Sequence, residues 1–209
     1  MNPDTQSISS EMGCWEKLWA PYDESTYRAV LSVVRSNDTL LDIGAGDLRL
    51  ALRTAAIARK VYAIEIQKSV LERAFAGGSI PENLVVLAGD ARFMDFPPGI
   101  TTGILLMRHC THFNLYVNKL KAAGCQRLVT NARWGSGVEV IAFDAPRLSF
   151  DQLEMGWYAC LCGAAGFKTG AVEKLTTENI STTVEVIDCP GCRFRGQEWQ
   201  RQKEGARAK

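Results

Sequence analysis

The chain has 209 residues, a formal net charge of +1, 46% hydrophobic and 22% charged residues. This length and hydrophobic content are enough for one sizeable core, and the near-neutral charge gives no general attraction to nucleic acid or membranes. No apolar run reaches membrane-spanning length, and the first ten residues lack the apolar core of a secretory signal. We therefore expect a cytoplasmic protein without a membrane partner, whose seven cysteines form no disulfide framework.

Three regions are predicted along the chain: a tail at 1–24, a main domain at 25–192 and a basic tail at 193–209. The end of the first tail is rich in aromatic residues, which can pack in a core or form a lid over a ligand. Acidic residues and helical spacing after Asp23 predict that the main domain begins with a helix. The basic tail is either a solvated segment or a contact for RNA.

The stretch 39–47 joins an apolar run to a turn with Gly44 and Gly46, and a helical pattern follows at about 47–58. The two glycines permit a sharp turn and a close approach of a ligand to the main chain. Free N–H groups at the helix start point into the same space. A second apolar run, 61–64, ends in Glu65, and an acid at about this spacing typically holds a ribose. These features predict a nucleoside-binding site.

The residues around this turn disfavour a dinucleotide. The dinucleotide fingerprint requires a third glycine at position 49, where the chain has Arg49, a bulky residue at an expected contact between helix and strand. Asp42 and Asp47 place negative charge where a pyrophosphate would lie. Both features suit a ligand with a positive centre better than they suit NAD.

The sequence Leu-Asp-Ile-Gly-Ala-Gly-Asp at 41–47 resembles the first motif of the class I (Rossmann-like) S-adenosylmethionine-dependent methyltransferases. It departs from them at Leu48, where many members carry another glycine. The resemblance implies an α/β fold: a doubly wound, mostly parallel seven-stranded sheet with helices on both faces and its last strand antiparallel. It also implies S-adenosyl-L-methionine as the cofactor, with contacts from Asp42, Gly44, Gly46, Glu65, Asp90 and Ala91.

Two of these contacts follow the second and third predicted strands. In the family, the acid after the second strand holds the ribose, which is the role of Glu65. An acid after the third strand, here 84–87, often bonds the adenine amino group, and this role falls on Asp90. The alternative for Asp90 is a helix or turn cap.

A fourth predicted strand, 104–107, runs into a loop that holds both histidines of the chain. Ligands of open parallel sheets bind outside the carboxyl ends of the strands, and the family places acceptor-facing residues in this loop. His109 and His112 are the catalytic candidates because a histidine can take a proton from the acceptor, and Arg108 can anchor an acidic group. A metal site or a structural role are the alternatives, and no metal ligand is assigned.

The rest of the chain is predicted to contain a helix from about 115, a strand at 127–130 and a strand at 138–143 that forms a hairpin with it. A helix from 149 or 151 through 161 and strands at 168–175 and 181–186 follow, resembling the end of the family fold. Four cysteines in this part can form a zinc site: Cys160, Cys162, Cys189 and Cys192. The predicted helix would point the first two apart, so buried free thiols are preferred.

The sequence thus predicts a methyltransferase that uses S-adenosylmethionine and whose acceptor is unknown. The small size favours a small-molecule acceptor over RNA or protein, but the loop after the fourth strand lacks the Asn/Asp-Pro-Pro-aromatic motif of the amino-methylating branch, which disfavours adenine-type methylation. The alternative is an inactive methyltransferase-like scaffold or RNA-binding protein, with or without a cysteine zinc site. The oligomeric state is not indicated.

Overall fold

The computed structural model describes residues 21–76, 78–108, 110–133 and 137–194. The chain divides into two compact units between Ile104 and Leu105. Across the described residues, every helix is too short or too polar to cross a bilayer. His109 lies outside the described residues, as do 1–20 of the predicted tail at 1–24 and 195–209 of the predicted tail at 193–209.

The first unit alternates helices and parallel strands. Its elements are α1 (Glu24–Leu31), β1 (Thr39–Ile43), α2 (Arg49–Ala55), β2 (Lys60–Glu65), α3 (Lys68–Ala76), β3 (Leu84–Ala88) and β4 (Thr102–Leu105). The strand order is β3-β2-β1-β4, and each neighbouring pair is parallel. All five residues of β1 are buried, as expected for a central strand covered on both faces. This topology brings the carboxyl ends of β1, β2 and β3 to one edge of the sheet.

The second unit contains a hairpin and a separate small sheet. Its elements are α4 (Phe113–Ala122), β5 (Arg127–Thr130), β6 (Glu139–Ala142), β7 (Leu148–Ser149), β8 (Gly156–Cys160), β9 (Ala165–Lys168), α5 (Thr177–Ser181) and β10 (Thr183–Ile187). Short 3₁₀ helices span Phe150–Gln152 and Val172–Lys174, and 190–194 is helical. β5 and β6 are antiparallel, and the four-stranded sheet has the order β7-β10-β8-β9.

A buried arginine joins the hairpin to the small sheet. The Arg133 side chain is 1% exposed and pairs with Glu139 of β6 and Glu185 of β10, each at 2.5 Å. Burial opposes the charge of Arg133, but hydrogen bonds from the guanidinium to the two carboxylates outweigh it, and its pKa is raised. The ion pair therefore fixes β10 against the hairpin through a charge that water does not reach.

The predicted α/β class with a mostly parallel sheet is confirmed, but the number of strands is wrong. The larger sheet has six strands rather than seven. The last strand, β10, does not insert into it antiparallel. Instead, β10 pairs in parallel with β7 and β8 in the four-stranded sheet. The three predicted regions, with a main domain at 25–192, stay a prediction beside the observed division into two units.

The helix predicted through 161 is also wrong, because Gly156–Cys160 forms strand β8. Apolar residues in this stretch recur at a spacing that suits a helix, but pairing with β9 and β10 decides the conformation. Gly156 starts the strand with φ of +131°, and a Cβ there would lie 3.0 Å from the Asn179 carbonyl oxygen. Tertiary pairing thus overrides the local periodicity.

Candidate functional site

The turn after β1 has the left-handed backbone that its glycines permit. Gly44 has φ of 76° and Gly46 has φ of 56°. Leu48 also adopts a positive φ, 65°, which costs a residue with a Cβ about 1–2 kcal/mol. Its side chain is fully buried, and this burial offsets the strain. The position where many family members carry glycine therefore requires the same conformation here.

The backbone of the turn is tied to the neighbouring strand. The N–H groups of Gly44 and Ala45 both donate to the Ile64 carbonyl oxygen, at 2.8 and 3.0 Å. The turn is therefore held against the end of β2, with Gly44 exposed at the edge of the sheet. An exposed glycine here leaves main chain that a ligand can approach closely.

Glu65 at the end of β2 is buried and holds the turn from the other side. One carboxylate oxygen accepts a hydrogen bond from the Gly46 N–H and the other from the Gln67 N–H, each at 2.8 Å. Its carbonyl oxygen accepts from the Gly89 N–H at 2.9 Å, which joins β2 to the loop after β3. A carboxylate has about four acceptor positions, so each oxygen can still accept a hydroxyl of a ligand.

Asp42, near the end of β1, is the most perturbed acid of this site. Its side chain is buried, and its Oδ2 atom has no hydrogen-bond partner among the described residues. Burial raises its pKa from the usual 3.8 to about 7, and the negative charge of Glu65 adds to the shift. A buried oxygen without a partner, beside a second carboxylate, is electrostatically suited to a cationic or hydrogen-donating ligand.

Asp90 follows β3, where the resemblance places an adenine contact. Its two carboxylate oxygens accept hydrogen bonds from the Arg92 guanidinium at 3.0 and 2.5 Å, and Oδ1 also accepts from the Arg92 backbone N–H. The turn-cap geometry is therefore present, and the adenine role of Asp90 stays a prediction. The exposed pair contributes no more than about 1 kcal/mol, so a ligand can displace it. Ala91, the next residue, is buried.

Two exposed apolar residues at this edge were not singled out from the sequence. Ile66 directly follows Glu65 and is 53% exposed, and Phe93 lies three residues after Asp90 and is 82% exposed. The Phe93 ring has a flat face on which a planar group can stack, and Ile66 adds apolar surface. The signal in the sequence was an apolar residue shortly after each acidic turn.

The expectation that Arg49 fills a contact between helix and strand is wrong. Arg49 is exposed, and its guanidinium donates to both carboxylate oxygens of Asp47, at 3.2 and 2.6 Å. The charge of Asp47 is therefore compensated by Arg49, and the negative charge of the site comes from Asp42 and Glu65. Those two acids are consequently the ones that disfavour a pyrophosphate.

The loop after β4 carries the candidate catalytic residues in the second unit. Arg108 is exposed in a turn, and His112 is exposed at the N-terminal end of α4. The His112 ring lies edge-on to Tyr116, with 6.5 Å between ring centres. The catalytic roles of Arg108, His109 and His112 stay predictions.

The second unit also brings together the four cysteines considered from the sequence. The sulfurs of Cys160, Cys162, Cys189 and Cys192 all lie within 4.8 Å of one another. The predicted helical placement of the first two, which disfavoured this cluster, is wrong because Cys160 ends a strand and Cys162 lies in the following turn.

Comparison with known proteins finds methyltransferases, although no family model matches the chain. The probable ribosomal RNA small subunit methyltransferase A of Methanosarcina acetivorans is 38% identical over 68 residues, which are 32% of this chain and 25% of that protein. Its namesake in Pyrobaculum aerophilum is 33% identical over 75 residues, or 36% and 32% of the two chains. The chain thus spans about a quarter to a third of the length of the curated relatives that it matches.

Solved structures give matches over about half of this chain. The 23S rRNA methyltransferase ErmE is 20% identical over 52% of this chain and 46% of its own, with a TM-score of 0.46. An RNA methyltransferase from Salinibacter ruber in complex with S-adenosyl-L-homocysteine is 19% identical over 53% and 76%, with a TM-score of 0.45. The curated relatives confirm the resemblance to methyltransferases that the motif at 41–47 indicates.

Proposed function

We propose that the chain is an S-adenosylmethionine-dependent methyltransferase. The observation that carries this proposal is the buried Oδ2 atom of Asp42, which has no hydrogen-bond partner in the described part of the chain and lies near Glu65 at the glycine turn. S-adenosylmethionine carries a positive sulfonium and an ammonium group, which two neighbouring carboxylates attract. A dinucleotide carries the opposite charge.

The assigned cofactor residues contact different parts of the ligand. Gly44, which is exposed, gives the methionine part access to the main chain, and Gly46 shapes the turn through its N–H bond to Glu65. Glu65 accepts hydrogen bonds from the ribose hydroxyls. Asp90 and Ala91 form the adenine end. These residues act by holding the methyl group in line with an acceptor, which is the main requirement of a displacement reaction.

The reaction forms one bond and breaks one. A lone pair of the acceptor attacks the methyl carbon, the carbon–sulfur bond breaks, and its electron pair stays on sulfur in S-adenosylhomocysteine. The acceptor then loses a proton, which His109 or His112 can take. Arg108 orients an anionic part of the acceptor.

We propose RNA as the acceptor class, because the curated relatives are named as ribosomal RNA methyltransferases. Those relatives do not support the small-molecule acceptor that the size of the chain favours. Arg108 supports the proposal because an exposed arginine pairs well with phosphate oxygens.

Calorimetric titration tests the cofactor site. We expect S-adenosylmethionine and S-adenosylhomocysteine to bind and NAD to show no binding. The change Glu65→Ala removes two charge-assisted hydrogen bonds to the ribose, which is a loss of about 2–4 kcal/mol or ~30- to ~1,000-fold in affinity. Glu72→Ala is the matched control, because it removes the same charge from an exposed position on α3.

Transfer of an isotopically labelled methyl group tests the activity and the acceptor. The protein is incubated with labelled S-adenosylmethionine and with total RNA, protein or a small-metabolite extract in separate reactions. We expect label in the RNA and release of S-adenosylhomocysteine. Label only in small metabolites would refute the RNA acceptor, and cofactor binding without turnover in all fractions would indicate the scaffold alternative.

A further inference from the structure

Four cysteine sulfurs form one compact cluster in the second unit, and none of these cysteines is assigned to methyl transfer. The Cys160 and Cys192 sulfurs lie 3.6 Å apart, those of Cys162 and Cys189 lie 3.4 Å apart, and those of Cys189 and Cys192 lie 3.8 Å apart. A tetrahedral zinc ion with zinc–sulfur bonds of about 2.3 Å requires sulfurs about 3.8 Å from each other. The cluster therefore has the size of a four-thiolate zinc site.

The first two cysteines come from the hairpin of β8 and β9. Cys160 ends β8, and the chain reverses through Gly163, which has φ of +94°. The Gly163 N–H donates to the Cys160 carbonyl oxygen at 3.0 Å, and the Cys160 N–H donates to the Ala164 carbonyl oxygen at 2.9 Å. This tight turn directs Cys160 and Cys162 to the same side although only one residue separates them.

The other two cysteines come from the turn after β10. Asp188 has a left-handed backbone with φ of 56°, and a helical segment starts at Pro190. The N–H groups of Cys192 and Arg193 donate to the Cys189 carbonyl oxygen at 2.9 and 3.1 Å. The spacing Cys-Pro-Gly-Cys on such a turn places both sulfurs toward one point, as in zinc ribbons.

Strand pairing brings the two halves of the cluster together. β8 and β10 are parallel neighbours, and Val186 pairs with Cys160. Cys189 follows three residues after Val186 and is fully buried, as Cys160 nearly is. The contact is therefore built into the sheet and does not depend on a mobile side chain.

We propose that Cys160, Cys162, Cys189 and Cys192 bind one structural zinc ion. Four thiolates complete the tetrahedral shell and leave no open position, so the ion stabilises structure and does not activate water. It would fix the β8–β9 hairpin to the chain after β10. The small core around these cysteines contains Leu153 and Val186 as its only other buried members among the described residues, and small cores commonly depend on such a link.

Two disulfides are the main alternative, but the distances favour a single cluster. Disulfides Cys160–Cys192 and Cys162–Cys189 would divide the four sulfurs into two separate pairs. Instead, the Cys189 sulfur lies at nearly the same distance from Cys162 and from Cys192. Nearly equal sulfur–sulfur distances are what coordination of all four thiolates to one central ion requires.

Metal analysis of the purified 209-residue chain is the first test. We expect one zinc ion per chain by elemental mass spectrometry after dialysis, without added metal. Replacement by Co²⁺ should give intense thiolate-to-cobalt charge transfer and the visible bands of a tetrahedral four-sulfur site. Both readouts are independent of methyl transfer, so they remain interpretable if the proposed function fails.

Cysteine variants assign the ligands. Cys189→Ser should reduce bound zinc at least severalfold and change the cobalt spectrum. Cys125→Ser is the matched control, because its buried thiol contacts the Arg127 carbonyl oxygen at 3.2 Å, outside the cluster, and serine retains that donor. The control should retain one zinc ion.

A thiol count on the wild-type chain can refute the proposal even if the cysteine variants do not fold. Alkylation of the denatured chain without reductant, after chelation, should modify all seven cysteines. Modification of only three cysteines would indicate two disulfides, and seven free thiols without bound zinc or cobalt would indicate a purely packed cluster. Either result refutes the zinc site.

Discussion

Replacing Asp42 by asparagine should change how the stability of the protein depends on pH. The pKa of Asp42 is about 7 in the folded protein and 3.8 by its ordinary value. The folded state therefore retains a proton that the unfolded state releases between these values. Because the native state binds more protons in this interval, the free energy of unfolding falls as pH rises from about 4 to about 7. An asparagine side chain does not ionise, so the variant should lack this fall.

The size of the effect follows from the shift. One pKa unit corresponds to about 1.36 kcal/mol, so the whole shift is on the order of 4 kcal/mol above neutral pH. Between pH 5 and pH 8 the wild type should lose about 2–3 kcal/mol from this group. This decrease in the free energy of unfolding is complete above the pKa of Asp42 in the folded protein, and it is absent below pH 4.

Urea unfolding of the protein without ligand, at pH 5, 6, 7 and 8, measures this difference. The variant should be more stable than the wild type at pH 8, and the two should converge at low pH. Asp38→Asn is the control at the other end of β1, because the Asp38 carboxylate accepts from the Arg35 N–H and from two threonine hydroxyls. Asp38→Asn should lower the free energy of unfolding at each of these pH values. Parallel pH profiles for wild type and Asp42→Asn would refute the argument that burial suppresses the ionisation of Asp42.

Three further changes probe both units by denaturant unfolding or ligand titration. Glu65→Gln replaces one acceptor oxygen by an NH₂ group that faces a backbone N–H. The free energy of unfolding should therefore fall by roughly 1–3 kcal/mol. The same change should weaken S-adenosylhomocysteine binding in calorimetry. Arg133→Met removes the partner of Glu139 and leaves Glu185 with only Arg147, at 3.6 Å, so urea unfolding should show a loss of roughly 2–4 kcal/mol that low pH reduces. Gly163→Ala adds a Cβ at a positive φ, 3.1 Å from the Phe113 Cβ, and should lower the free energy of unfolding by about 1–3 kcal/mol. No change in Arg133→Met would mean that the pair adds no net stability.

The glycine turn and Glu65 were predictable because their signal is local. An apolar run, two glycines and an acid at fixed spacing identify a strand, a turn and the next strand end without knowledge of the fold. The observed φ values of Gly44 and Gly46, and the hydrogen bond from Gly46 to Glu65, confirm that geometry. The unpartnered oxygen of Asp42 was not predictable, since it depends on which donors the folded chain brings near.

The cysteine cluster shows the opposite case. Its ligands are separated by 27 and 32 residues, and the helix predicted at Cys160 and Cys162 disfavoured it. Pairing of β8 with two other strands makes this stretch extended, and a turn at Gly163 then brings the two sulfurs to one side. Helical periodicity over a few apolar residues could not reveal this, because the deciding contacts come from distant segments.

Asp42 is better explained by ligand binding than by stability. Asp42 lowers the stability of the folded chain above pH 4, since it is buried near the charge of Glu65 and one of its oxygens has no donor among the residues that the structure describes. A cationic ligand would reverse this effect by favouring the ionised form of Asp42, so binding near neutral pH should release a proton. The unfavourable free energy of ionised Asp42 in the unliganded protein is then relieved on binding, so the affinity for a cationic ligand increases with pH. A neutral or anionic ligand offers no such compensation, which is why the electrostatics of this edge favour S-adenosylmethionine over a dinucleotide.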